Sequence, residues 1–443
     1  MEISAGDTAW VLMSAALVML MTPGLALFYG GMVRAKAVLN MIMMSFLALG
    51  IVTMIWVVYG YSLAFGTDSG PGLIGNLSDI GLLNSIGEVT GAAGSQIPEL
   101  AFAMFQLTFA IITVALLSGA VADRIKVSAW IVLVIVWTTL VYLPLSHWAF
   151  AFDDGQGGWI GDRLKALDFA GGTAVEINSG FSALALALVV GVRLGWRRDP
   201  MRPHSLPLVL LGAGLLWFGW FGFNAGSALA AGQLAATAMI NTQISTAAAA
   251  LSWVVVERFR DGKPTTLGIA SGAVSGAVAI TPACGFVDPI GALVIGVIAG
   301  AICALAVGLK YRLGYDDSLD VVGVHGVGGL VGMLAIGLFA TLGVNEAGAN
   351  GLFHGGGFGL LGRQAIACTA TLAYAFIVTY VIATIIDRTL GFRVSQEAEI
   401  TGIDLSEHAE SAYEYTDTTS GTFAGVGLSG LHHQQQRLRE EDQ

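Results

Sequence analysis

Apolar runs of about twenty residues, each long enough to cross the ~30 Å hydrocarbon core of a bilayer, recur along the whole chain. They are expected at residues 9–33, 38–66, 99–122, 127–147, 170–194, 206–230, 234–256, 265–283, 289–309, 321–343 and 363–387. A soluble fold would need roughly 25% charged residues to cover its surface; here Asp, Glu, Lys and Arg make up 12% of 443 residues, against 55% hydrophobic. A membrane β-barrel would show short alternating segments, which are missing, so the backbone must satisfy its own hydrogen bonds inside helices. The expected fold is an all-α polytopic membrane protein of eleven transmembrane helices.

Direction follows from the basic residues, which concentrate on the cytoplasmic side of membrane proteins. One set of loops and the tail carries seventeen Lys and Arg, from Arg34 and Lys36 to Arg437 and Arg439; the other set carries only Arg163, Lys165 and Arg363. An odd number of spans with this split puts the N-terminus outside and the tail in the cytoplasm. Met1–Trp10 holds Glu2 and Asp7 but no base, so no secretory signal is expected and the first span is retained. The long outside loops, 67–98 and 344–362, read as solvent-facing connectors.

Several function classes drop out. A net charge of −11 argues against nucleic acid as a partner. Cys284, Cys303 and Cys368 have no CxxC or metal-ligand spacing, so no disulfide framework, metal or cofactor is indicated. The chain also lacks the nucleophile and base set of an enzyme. Beyond Arg393 the composition turns acidic. Residues 1–390 are therefore expected to form the transmembrane domain, 391–415 a soluble cytoplasmic region, and 416–443 a disordered tail.

Ionisable groups at membrane depth are costly and mark function. Glu176 lies in the fifth span and His325 in the tenth. If the first five spans and the next five are inverted repeats, with one helix left over, the two occupy matching places. That predicts a facing carboxylate–imidazole pair along a permeation path, although a lone membrane histidine also serves as a helix–helix hydrogen-bond donor. Phe105 and Phe109 lie one turn apart, as do Phe223 and Ser227, so each pair shares a helix face. Spacing alone fits either packing or a cation–π cage.

Longer stretches point further. Leu27-Phe28-Tyr29-Gly30-Gly31, Asp168-Phe169-Ala170-Gly171-Gly172-Thr173, Gly219-Trp220-Phe221-Gly222-Phe223-Asn224-Ala225-Gly226-Ser227, Thr281-Pro282-Ala283-Cys284-Gly285 and Gly323-Val324-His325-Gly326 resemble, in order, the ammonium transporter (Amt/Mep/Rh) family. The resemblance implies a homotrimer in the cell membrane, carrying ammonium or ammonia through a narrow pore in each protomer. Phe109 and Phe223 match stacked phenylalanines that gate the outer end. Phe109 and Ser227 match the ammonium recruitment site, and Asp168 the aspartate that holds its backbone. The site's third aromatic matches Phe150, with Trp148 or Trp159 as alternatives, because His147-Trp148-Ala149-Phe150 is followed by an insertion.

The pattern departs from the family at one place. The mid-pore histidine pair matches Glu176 and His325, so a glutamate replaces the first imidazole and the two should titrate as one coupled unit. The stretch from Gly391-Phe392-Arg393 to Ala412-Tyr413 resembles the family's cytoplasmic regulatory region, which implies a PII-type signalling partner. A sensor that binds ammonium and signals through its tail is the alternative function.

Overall fold

The computed structural model describes residues 3–413; the stretch expected to be disordered, 416–443, lies outside them. Among the described residues, ten helices are long and apolar enough to span a bilayer: α1 (Ala5–Met32), α2 (Ala35–Phe65), α3 (Glu99–Val121), α4 (Val127–Phe150), α5 (Gly172–Val190), α6 (Leu206–Gly226), α7 (Gln233–Arg260), α9 (Pro289–Leu313), α10 (Val322–Phe339) and α11 (Gly359–Thr389). The segment expected as the eighth span is a shorter helix, α8 (Thr266–Ile280). Its 15 residues reach about 22 Å. Thr265 caps its start by accepting from the Gly268 amide. At its other end Pro282, which has no amide to donate, leads a tight turn through Gly285.

Glycines set how closely these helices approach, since a helix can pack backbone to backbone only where no Cβ intervenes. A Cβ on Gly212 of α6 would lie 2.3 Å from the Phe28 amide nitrogen of α1. Where α5 crosses α10, a Cβ on Gly180 would lie 2.2 Å from the Gly326 Cα. That crossing brings Glu176 and His325 together.

Both crossing helices begin in the same unusual way. α5 opens with a π-helical turn, Gly172–Ile177, and α10 with another, Val322–Gly326; such turns recur at functional sites. Ahead of each stands an aspartate on the backbone amides. Asp168 accepts from the Gly171, Gly172 and Thr173 amides at 2.8, 2.8 and 2.7 Å, and from Thr173 Oγ1. Asp317 accepts from the Val322 amide at 2.7 Å, and its other oxygen has no partner. Asp168 and Asp317 precede the buried Glu176 and His325 by eight positions each.

The loop between α2 and α3 is more than a connector. Val89–Thr90 pairs antiparallel with Ile97–Pro98, and Asp68 accepts from Arg163 Nη2 at 2.7 Å. Beside it, burial works against the Asp162 carboxylate, but the amides of Asp153, Gly155 and Gly157 and the Lys165 ammonium outweigh that and hold it at about 2.

On the opposite face the acidic tail is folded back as α12 (Gln396–Thr401) and α13 (Ile403–His408). The α-helical parts of α2 and α4 both start without a side-chain cap of their own. Asp404 accepts from the Leu39 and Asn40 amides at 3.0 and 2.8 Å, and Glu407 from the Val127 amide at 3.0 Å. The tail thus supplies negative charge to helix N-termini that lack side-chain caps of their own, where free amides and the helix dipole favour it. Glu399 joins the same face, accepting from Arg393 at 2.6 Å and from the Leu194 amide at 2.7 Å. Beneath it runs a buried ion network. Arg193 grips Asp316 through two bonds of 2.9 Å and lies 3.6 Å from Asp123, which Arg34 reaches at 3.1 Å.

Candidate functional site

On the face away from the tail, a cavity of 340 Å³ is lined by Phe109, Phe150, Asp168 and Ser227. Ser227 closes α6, and its hydroxyl donates to the Phe223 carbonyl at 2.8 Å. That bond uses the proton and leaves the oxygen lone pairs available, so Ser227 can accept from an N–H donor. Asp168 cannot serve as the cation ligand in the same way, because both its oxygens already take two donors each. Its task is to hold the start of α5, where Gly171 takes a φ of +123°, a conformation open to glycine.

Of the candidate aromatics, Phe150 lines the cavity. Trp148 is packed elsewhere: its Nε1 donates to the Leu73 carbonyl at 2.8 Å, and its ring lies tilted against Tyr374 at 4.6 Å and edge-on to Trp159 at 5.5 Å. The cavity also takes in Tyr61, Phe65, Phe102 and Glu99, which sequence reasoning did not assign to it. The signal for Glu99 was a carboxylate at the edge of an apolar run; nothing in spacing connects Tyr61 to it.

The Phe109 and Phe223 rings lie 4.3 Å apart, tilted by 44°, and Phe105 meets Phe109 edge-on at 4.9 Å. A second, constricted space of 10 Å³ is walled by Met21, Leu25, Ile112 and Leu216, with Phe223, Glu176 and His325 also in its lining. A volume of about 10–15 Å³ is what one water-sized molecule needs. Glu176 Oε2 lies 2.7 Å from His325 Nδ1, and both residues are buried. The surroundings are hydrocarbon, so the two groups are each other's hydrogen-bonding solution.

The arrangement comprises a cavity with aromatic faces and the Ser227 oxygen, a pair of packed phenylalanine rings, an apolar constriction, and a buried Glu176–His325 hydrogen bond. Among the described residues no group of His, Cys, Asp and Glu is placed to hold a metal.

The model of the Ammonium Transporter Family matches residues 9–413. The chain belongs to the ammonium transporter family. Among its relatives, a Mycobacterium tuberculosis ammonium transporter is 56% identical over 432 residues, covering 93% of this chain and 90% of that protein. The Archaeoglobus fulgidus ammonium transporter is 48% identical, covering 93% of this chain and 100% of that one. Among solved structures, Saccharomyces cerevisiae Mep2 superposes with a TM-score of 0.81 at 36% identity, covering 89% of this chain and 88% of that one. A structure titled Sensor Amt Protein superposes at 0.82 with 27% identity, covering 91% of this chain and 98% of that one. The ten long apolar helices make up the bulk of the described residues.

Proposed function

We propose that this protein carries ammonium or ammonia across the cell membrane, through one pore in each protomer of a homotrimer, with the N-terminus outside and the tail in the cytoplasm. The observation that carries the reading is the water-sized apolar space between Phe223 and the Glu176–His325 pair.

An arriving ammonium ion has four N–H donors and no acceptor. Ser227 accepts one of them, and Phe109 and Phe150 offer ring faces, together worth about 1–2 kcal/mol for a partly desolvated cation. Phe109 and Phe223 then act as a gate whose rings must swing before anything passes. The space beyond is too small and too apolar for a hydrated ion, so the pore selects a small species that can give up its water. Glu176 and His325 are the polar groups waiting there, and the proton between them can move as charge enters. Two inverted five-helix repeats plus a final helix account for the matched aspartates and π-helical turns of α5 and α10. The tail, residues 391–415, is read as a regulatory element and as the docking side for a PII-type protein.

Uptake and current in liposomes with an ammonium gradient, compared with urea and methylammonium, test the proposal; absent ammonium flux overturns it. The likeness to a solved Sensor Amt Protein favours one competing reading, ammonium sensing through the tail. Saturable flux at physiological ammonium decides for transport.

A further inference from the structure

Glu99 opens α3, where one carboxylate oxygen accepts from the Tyr61 hydroxyl. Among the described residues it has no ion-pair partner, and its other oxygen takes no hydrogen bond. It lines the cavity that holds Ser227, Phe109 and Phe150, and also a second cavity of 250 Å³ that contains Asp79 and Glu88. Tyr61 and Phe65 form walls common to both. Around the carboxylate, Tyr61 stacks on Phe65 at 5.7 Å, and Phe102 meets Phe65 edge-on at 5.1 Å.

We propose that Glu99, with Tyr61 and Phe102, forms a second cation site ahead of Ser227, which concentrates ammonium from the external solution and passes it inward. The inference rests on the transport reading given above. A half-buried carboxylate without a counter-ion is unfavourable, and a cation arriving in the cavity relieves it. The other carboxylate of this cavity, Asp168, is saturated by backbone donors, so Glu99 is the acid with an oxygen to offer. One carboxylate and aromatic faces supply far too few oxygen ligands for calcium or magnesium. They suit a small monovalent cation that donates hydrogen bonds and accepts π faces. A charge of one sign lining a low-dielectric cleft raises the local concentration of the opposite ion, an effect that falls with salt.

The test uses the full-length protein in liposomes, measuring ammonium flux against concentration at low and high ionic strength for wild type, Glu99→Gln, Glu99→Asp, Tyr61→Phe and Ser227→Ala. Glu99→Gln should raise the half-saturating concentration about tenfold at low salt, more than it lowers the maximal rate, and added salt should close most of that gap. Glu99→Asp keeps the charge and should fall between. A purely helix-stabilising glutamate would change the amount of folded protein without this salt-dependent shift. Wild-type half-saturation in Glu99→Gln at low salt, alongside a shifted Ser227→Ala, overturns the Glu99 site and leaves the transport reading standing. If Glu99→Gln does not fold, Tyr61→Phe carries the test: a rise of half-saturation supports the site, and an unchanged value overturns it. Wild type without ammonium flux overturns both.

Discussion

Glu176 Oε2 and His325 Nδ1 stand 2.7 Å apart, on helices that meet through Gly180 and Gly326. A carboxylate oxygen and an imidazole nitrogen this close are hydrogen-bonded, and under the proposed function the pair holds its proton either as glutamate with imidazolium or as two neutral groups. Those two forms would respond differently to a cation in the adjoining space, so in the proposed function the pair couples occupancy of the pore to proton position.

Replacing Glu176 by Gln keeps size and hydrogen-bonding capacity but removes the shared proton. Transport should fall by about a hundred- to ten-thousandfold, the range of a lost proton-transfer group, or lose its pH dependence. Glu176→His should retain transport with altered selectivity. Uptake and current measured from pH 5 to 8 give the answer; a Gln variant identical to wild type at every pH makes Glu176 a packing residue.

In the proposed function Phe109 serves both recruitment and gating, since it lines the outer cavity and packs on Phe223 at 4.3 Å. Phe109→Ala should weaken apparent ammonium affinity about fivefold, the loss of one ring face worth about 1 kcal/mol, while opening the barrier to potassium and sodium. Competition of each ion against ammonium current measures this. Unchanged affinity together with unchanged discrimination counts against the assignment.

The tail should detach when its capping charge is removed. Asp404→Ala leaves the Leu39 and Asn40 amides without an acceptor, a cost of about 1 kcal/mol, and should raise the protease sensitivity of residues beyond Arg393. Truncation after Arg393 should leave assembly intact by native mass spectrometry while lowering activity or abolishing regulation. Full activity with an intact response to a PII-type protein removes the regulatory role.

Asp317 makes a pH prediction. Burial pushes its carboxyl up to about 6, the Lys310 ammonium opposes that and Asp320 adds to it. Its pKa is therefore higher folded than unfolded, where it lies at 3.8. The charged form penalises the native state, and the penalty grows as pH rises from about 4 to about 6, then stays constant, reaching on the order of 3 kcal/mol. Asp317→Asn removes it while retaining an oxygen for the Val322 amide. Its melting temperature relative to wild type should climb across that window and level off above it; a flat difference refutes the account.

How far the sequence could be read depended on the kind of question. Hydrophobic run length located the membrane segments, because ~30 Å of hydrocarbon imposes it, though the run at 265–283 gave no sign that Pro282 and its turn would shorten α8. The Glu176–His325 contact was legible because burying a lone charge is so costly that a partner could be sought. The choice between Phe150 and Trp148 was not: an insertion of several residues separates them from the following glycines, and only the fold shows Trp148 turned toward Tyr374. Glu99 and Tyr61 stand far apart in sequence, and no periodicity joins them. The capping of α2 and α4 by Asp404 and Glu407 was equally hidden, since acidic residues in a tail look alike until a helix end lies beneath one of them.

The frame that fixes position 176 borrows nothing from the side chain there. Asp168 grips main-chain amides, the π-helical turn sets the direction of the Cα–Cβ bond, and the glycine crossing sets the distance to α10. The site behaves as a socket, in which the fitting can be exchanged without rebuilding the wall. A lineage carrying such a socket can try carboxylate, imidazole or amide chemistry at mid-membrane through single substitutions, each tested against the same partner at His325 and the same narrow approach.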